Sequence, residues 1–247
     1  MKKLQVQIIN DRLITGQYGN IRFGPWGFEC SDRQSFLTLT DQCRNARQIG
    51  DYWQLSEGDW ALDYHTSQTD PNTLHIRATL TALRDGLLQD AVIRLVFDKS
   101  AIQTGEIAGR KYRHTDSDRY HLYPVHTAQL TGTDGTVLSV TLDRHAGAGR
   151  FAPYMYLRDQ GDHWIIHARL LPVNPVDYVW LRWANRFFTL SAPHWFAHLI
   201  WKCPGGKAAI WRLRERLGRH CPEIQAVPLN NIKSGQSLLL EVTCRFP

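Results

Sequence analysis

The stretch that decides the fold is FAPYMYLRDQGDHWIIHARLL, residues 151–171. Phe151 to Arg158 and His163 to Leu171 each alternate in polarity. Asp159-Gln160-Gly161-Asp162 separates them with residues that favour a turn. Successive side chains of an extended chain point to opposite faces. Met155, Leu157, Trp164, Ile166, Ala168 and Leu170 therefore share one face, and their apolarity makes it core. Tyr154, Tyr156, Arg158, His163, His167 and Arg169 share the other. A four-residue loop between Arg158 and His163 sets Tyr156 opposite Ile165 and Tyr154 opposite His167.

The same texture extends outward. Leu74, Ile76, Ala78, Leu80 and Ala82 alternate with His75, Arg77, Thr79 and Thr81, the period-two pattern of a strand. Ala91 to Phe97 (AVIRLVF) predicts a largely buried strand, and Tyr120–Leu130 and Val137–Arg144 predict two more. Gln5 to Ile14 is expected as a first strand. Gly16, Gly19, Gly24, Pro25 and Gly27 then read as a loop-rich stretch, and Asp51 to Tyr64 as two short strands around Ser56-Glu57-Gly58-Asp59. Short strands at this spacing predict a mainly β chain. The expected fold is an antiparallel β-sandwich or barrel of jelly-roll or supersandwich type over residues 1–172. Residues 223–247 supply a C-terminal strand, Ser237 to Phe246, that returns to the sheet.

Residues 173–222 have another character. Pro193 to Trp201 (PHWFAHLIW) and Lys207 to Leu217 predict two short helices, making an aromatic and basic appendage. From Lys202 to Arg219 six basic residues stand against Glu215, so nearly all of the chain's net charge of +6 sits there. Helices 194–217 could accordingly face an anionic membrane surface. Nucleic acid is the weaker partner, because no recognised binding motif accompanies the charge.

At 247 residues and 43% hydrophobic content the chain can bury a large core. No run of 18 uncharged apolar residues occurs, and Lys2-Lys3 lacks the apolar stretch of a secretory signal. The five cysteines, Cys30, Cys43, Cys203, Cys221 and Cys244, are odd in number and scattered. Free thiols and a cytoplasmic location are expected.

The chemistry points to the polar face of the 151–171 hairpin. Tyrosine rings stack on sugar faces, while Arg and His donate to carboxylates and phosphates. Tyr154 and His167 are the expected proton-transfer pair, with Tyr156, Arg158, His163 and Arg169 holding substrate. Arg119, His121 and Tyr123, from the basic run RKYRHTDSDRYHLYPVH at 110–126, are placed beside them. The plain alternative is a solvated outer face of ordinary strand residues. No metal or cofactor is expected. His194 and His198 have ligand spacing, but Trp195 replaces the glutamate of HExxH. His163 and His167 lie roughly 13 Å apart along a strand, too far for one ion. Ala146-Gly147-Ala148-Gly149 lacks the lysine of a phosphate loop, and no GxSxG nucleophile motif occurs.

The residue types are those that β-sandwich polysaccharide lyases use on uronates, although none of their specific motifs occurs. The reading is a carbohydrate-active or carbohydrate-binding protein, a lyase or isomerase if an enzyme. Its substrate would be acidic or polyhydroxylated, a sugar-like small molecule or polymer. The alternatives are a non-catalytic binding module or peripheral membrane protein using helices 194–217, and a small-ligand-binding β-barrel.

Overall fold

The computed structural model describes residues 2–9, 12–114, 120–173, 203–205 and 229–247. Two large sheets contain most of them. The first runs β1 (Leu4–Ile9), β2 (Leu13–Tyr18), β3 (Ile21–Ser31), β10 (Asp90–Asp98), β17 (His163–Pro172), β16 (Phe151–Gln160) and β13 (Tyr120–Tyr123), with β4 (Phe36–Thr38) also paired to β3. The second runs β12 (Arg110–Arg113), β11 (Ile102–Ile107), β14 (Thr127–Gly132), β15 (Val137–Gly147), β19 (Ser237–Arg245), β8 (Thr73–Ala82), β7 (Gly58–Asp70), β6 (Tyr52–Leu55) and β5 (Arg47–Ile49). A small ribbon pairs β9 (Gly86–Leu88) with β18 (Asn230–Ile232). Neighbouring strands are antiparallel, and among the described residues neither large sheet closes on itself, so the architecture is a sandwich rather than a closed barrel.

The alternating pattern explains the layers. Leu74, Ile76, Ala78, Leu80 and Ala82 on β8 are all buried, as are Met155, Leu157, Trp164, Ile166, Ala168 and Leu170 on β16 and β17. These inner faces meet across a shared core. Gly105 on β11 shows how close they come: a Cβ there would lie 2.8 Å from Leu157 Cδ2 and 3.0 Å from Trp164 Cζ3. At one end Phe246, just after β19, packs its ring 5.2 Å from Tyr18 and 5.3 Å from Phe23 of the opposite sheet. Trp26 donates its indole N–H to the Val96 carbonyl at 2.9 Å, so its polar atom is satisfied inside the core. The C-terminal strand β19 lies between β15 and β8, in the middle of its sheet.

Three expectations need correction. Gln5 to Ile14 is not one strand but the arms of a hairpin, with Ile9 opposite Leu13. Period-two polarity looks the same on either side of a tight reversal. The glycine-rich stretch from Gly16 to Gly27 is a hairpin of two strands, β2 and β3, around the two-residue turn Gly19-Asn20, rather than an extended loop. Gly24 stands at φ +99°, and a Cβ there would sit 2.4 Å from the Ile14 carbonyl oxygen, so glycine marks a close strand approach. Tyr120 to Leu130 is split: β13 and β14 belong to different sheets, with Pro124 in the crossing. The helices expected at 193–201 and 207–217 lie outside the described residues. No described helix is long and apolar enough to cross a membrane.

Candidate functional site

The β16–β17 hairpin closes with a two-residue turn, Gly161-Asp162, and not with four residues. Gly161 adopts φ +56°, which a glycine reaches without strain. The tight turn carries Asp159 and Gln160 into the strand and shifts the pairing by two residues. Tyr156 faces His167, Tyr154 faces Arg169 and Arg158 faces Ile165. A one-residue slip would have exchanged the faces, whereas a two-residue shift preserves them. Tyr154, Tyr156, Arg158, His167 and Arg169 therefore share the side turned away from the second sheet, as the alternation implies.

Three of these side chains are nonetheless buried, while Tyr154 and Arg158 are half-buried. Tyr156, His167 and Arg169 are 1%, 8% and 4% exposed. A cavity of about 300 Å³ opens there, walled by β3, β4, β10, β16 and β17. Its lining includes Glu29, Phe36, Asp90, Arg94, Arg158, His167 and Arg169. Registers explain the assembly. Glu29 on β3 lies opposite Val92 on β10, which lies opposite Arg169 on β17. One row along, Arg94 on β10 lies opposite His167, which lies opposite Tyr156.

Charges in the cavity are organised in pairs that join β10 diagonally to β17 on one side and to β3 on the other. Arg169 Nη2 meets Asp90 Oδ2 at 2.5 Å, and Ser31 Oγ donates to Asp90 Oδ1 at 2.6 Å. Arg94 Nε lies 3.5 Å from Glu29 Oε1, and Thr38 Oγ1 donates to that same oxygen at 3.5 Å. Arg169 also sits 5.9 Å over the Tyr156 ring, a cation–π distance.

His167 is the centre of this arrangement. Its ring centroid is 4.7 Å from that of Tyr156, tilted by 43°. Neither Nδ1 nor Nε2 has a hydrogen-bond partner among the described residues. Burial pushes its imidazole well below the usual histidine range, and the Arg169, Arg94 and Arg158 guanidiniums push it the same way. Near neutral pH the ring is uncharged, so one nitrogen can accept a proton and the other can donate one.

The other expected residues are placed differently. Tyr154 shares the His167 face but opposes Arg169 and does not line the cavity, so Tyr156 is the ring against His167. His163 is exposed at the hairpin tip opposite Gln160 and also lies off the cavity. His121 and Tyr123 register with Leu157 and Met155, on the inner side of the sheet. There Tyr112 stacks on His121 at 3.6 Å and shares a 3.1 Å hydroxyl contact with Tyr123, joining the edges of the two sheets. Arg119 falls outside the described residues. Sequence reasoning passed over Glu29, Asp90 and Arg94. Glu29 sits in a stretch that reads as loop, and Arg94 in a strand that reads as buried. A lone arginine inside AVIRLVF was the available signal, because buried cations need partners. Among the described residues no three His, Cys, Asp or Glu side chains converge as a metal site.

No family model matches the sequence, and no curated protein matches it. Among solved structures the chain is similar to an X-ray structure of a galactose mutarotase related enzyme from Lactobacillus acidophilus. The alignment has 6% identity, covers 99% of this chain and 97% of that one, and gives a TM-score of 0.43.

Proposed function

We propose that the cavity on the outer side of the first sheet binds a small acidic or polyhydroxylated carbohydrate, and that His167 transfers a proton on it. One observation carries this reading. A buried imidazole with both nitrogens unmatched faces a cavity, whereas buried polar groups are normally hydrogen-bonded. A ligand that fills the cavity supplies the missing partners.

The surroundings fit such a ligand. Glu29 and Asp90 accept hydrogen bonds from hydroxyls, and Arg94, Arg158 and Arg169 donate to ring, hydroxyl or carboxylate oxygens. Phe36, Val92 and Ile165 add apolar surface for the C–H face of a sugar ring. A volume of about 300 Å³ lies at the small end of ligand sites, suited to one sugar unit. A neutral His167 is in the form that a general base requires. Tyr156 packs against the ring and fixes its plane.

Ligand-observed NMR with a panel of monosaccharides and sugar acids tests the site. Saturation transfer to at least one panel member is expected, lost in Arg94→Gln. Solvent deuterium should enter that ligand's C–H positions with wild type in heavy water and not with His167→Asn. A panel without any transfer from the wild-type protein overturns the reading. Deuterium entry that persists in His167→Asn removes the proton-transfer role.

A further inference from the structure

We infer that His126 and His145 form a binding site for one divalent zinc ion at the rim of the sandwich, on the second sheet and apart from the cavity. The two imidazoles hold the ion, and water fills its other two positions.

The site is made by a break in strand regularity. Ala128 and Leu130 on β14 are buried in the core, and His126, two residues before Ala128, shares their side. On β15 the buried residues are Leu138, Val140 and Leu142. An uninterrupted strand would send His145 to the opposite, outer side. Between Leu142 and Arg144 the pairing with β19 shifts by one residue, a β-bulge at Asp143. Beyond it His145 lies opposite Leu240, whose side chain is buried. The bulge thus turns His145 to the side that His126 occupies. The Leu142 N–H donates to the His126 carbonyl at 2.8 Å, which holds the two segments side by side. Both histidines are exposed, so they stand at the rim of the core and not inside it.

The spacing of the rings selects the ion. Their centres are 5.4 Å apart, with planes at 77°. An imidazole nitrogen binds zinc at about 2.0–2.1 Å, which puts the ring centre about 3.2 Å from the ion. Two such rings at the tetrahedral angle have centres about 5.2 Å apart. Two adjacent positions of a square-planar or octahedral ion would bring them to about 4.5 Å. The observed spacing matches the tetrahedral case. Turning a ring about its Cβ–Cγ bond hardly moves its centre, and that torsion is soft. Both rings can therefore aim a nitrogen at one point without backbone movement.

Electrostatics agree. Ligation requires neutral imidazole. Partial burial and then His126 lower the affinity of His145 for a proton, which favours that form. Arg144, the adjoining cation, is turned to the outer side, where its Nη1 lies 3.5 Å from Glu241 Oε2.

Zinc titration of isotope-labelled protein at about pH 7.5, followed by the ring NMR signals of His126 and His145, tests the site. Their loss in His126→Gln and His145→Gln assigns the signals. In the wild type both should move together along one binding curve. In each variant the remaining histidine should need at least about tenfold more zinc. Both side chains are exposed, so the variants keep the fold, which unchanged tryptophan indole signals verify. Rings that respond along separate curves, a response in either variant equal to that of wild type, or no movement up to about 1 mM zinc overturns the inference.

Discussion

Arg169 and Asp90 touch at 2.5 Å although both side chains are almost shut off from water, 5% and 13% exposed. They are not directly opposed. Arg169 faces Val92, and Asp90 stands two residues along β10 on the same side. Diagonal neighbours of this kind lie within reach of a long side chain. Neither end tolerates loss of the other, because an unpaired buried charge is far costlier than a buried pair. Asp90→Ala should therefore lower stability by about 3 kcal/mol. The double variant Asp90→Ala/Arg169→Met should recover most of that loss. Urea denaturation of wild type, single and double variants measures it, and additive losses in the double variant would contradict the pairing.

A second prediction concerns the end of the sandwich beside the site. Asp32 is fully buried, and its carboxylate accepts three backbone N–H groups. Oδ1 takes Gln34 at 2.8 Å and Ser35 at 2.6 Å, and Oδ2 takes Glu57 at 2.8 Å. Ser35 Oγ continues the link to Ser56 Oγ at 2.7 Å. One side chain thus ties the turn before β4 to the turn between β6 and β7, in opposite sheets. Asp32→Ala strands those donors and should cost about 3 kcal/mol. Asp32→Asn, which keeps one acceptor oxygen, should cost less. A thermal midpoint in Asp32→Ala equal to that of wild type would show that the staple contributes nothing.

What the sequence discloses here follows from the physics of alternation. The inner and outer faces of residues 151–171 were legible because burial imposes period two on both strands, and that parity survived a turn two residues shorter than expected. The grouping of Tyr156, Arg158, His167 and Arg169 was legible for the same reason. Their partners were not. Asp90, Arg94 and Glu29 reach the site through pairings of β17 with β10 and of β10 with β3, strands separated by long stretches of chain. Periodicity carries no information on which strands become neighbours. His121 and Tyr123 were misplaced because a four-residue edge strand has too few positions to reveal its facing. Glycines misled in the segment 16–27, where they allow close approach of strands rather than a loop.

The state of His167 itself sets a pH dependence. In the folded protein its affinity for protons is depressed, first by burial and then by Arg169, Arg94 and Arg158. In the unfolded chain it titrates near the usual value of about 6.5. Above that pH the ring is neutral in both states and contributes no pH dependence. Below it the unfolded chain binds a proton that the folded state resists, so stability falls as the solution is acidified. The slope attributable to this residue is at most about 1.4 kcal/mol per pH unit. Asp85, Asp98 and Asp134 are hydrogen-bonded carboxylates held below the usual range, so their contributions are lost only at lower pH, through the carboxylate region. Between about pH 6.5 and 5 the His167 effect therefore stands clear of theirs. Denaturant midpoints across that window should fall more steeply for wild type than for His167→Asn, whose side chain does not titrate. Parallel curves for the two proteins would mean that the imidazole is not held neutral in the fold, and the general-base assignment would lose its physical basis.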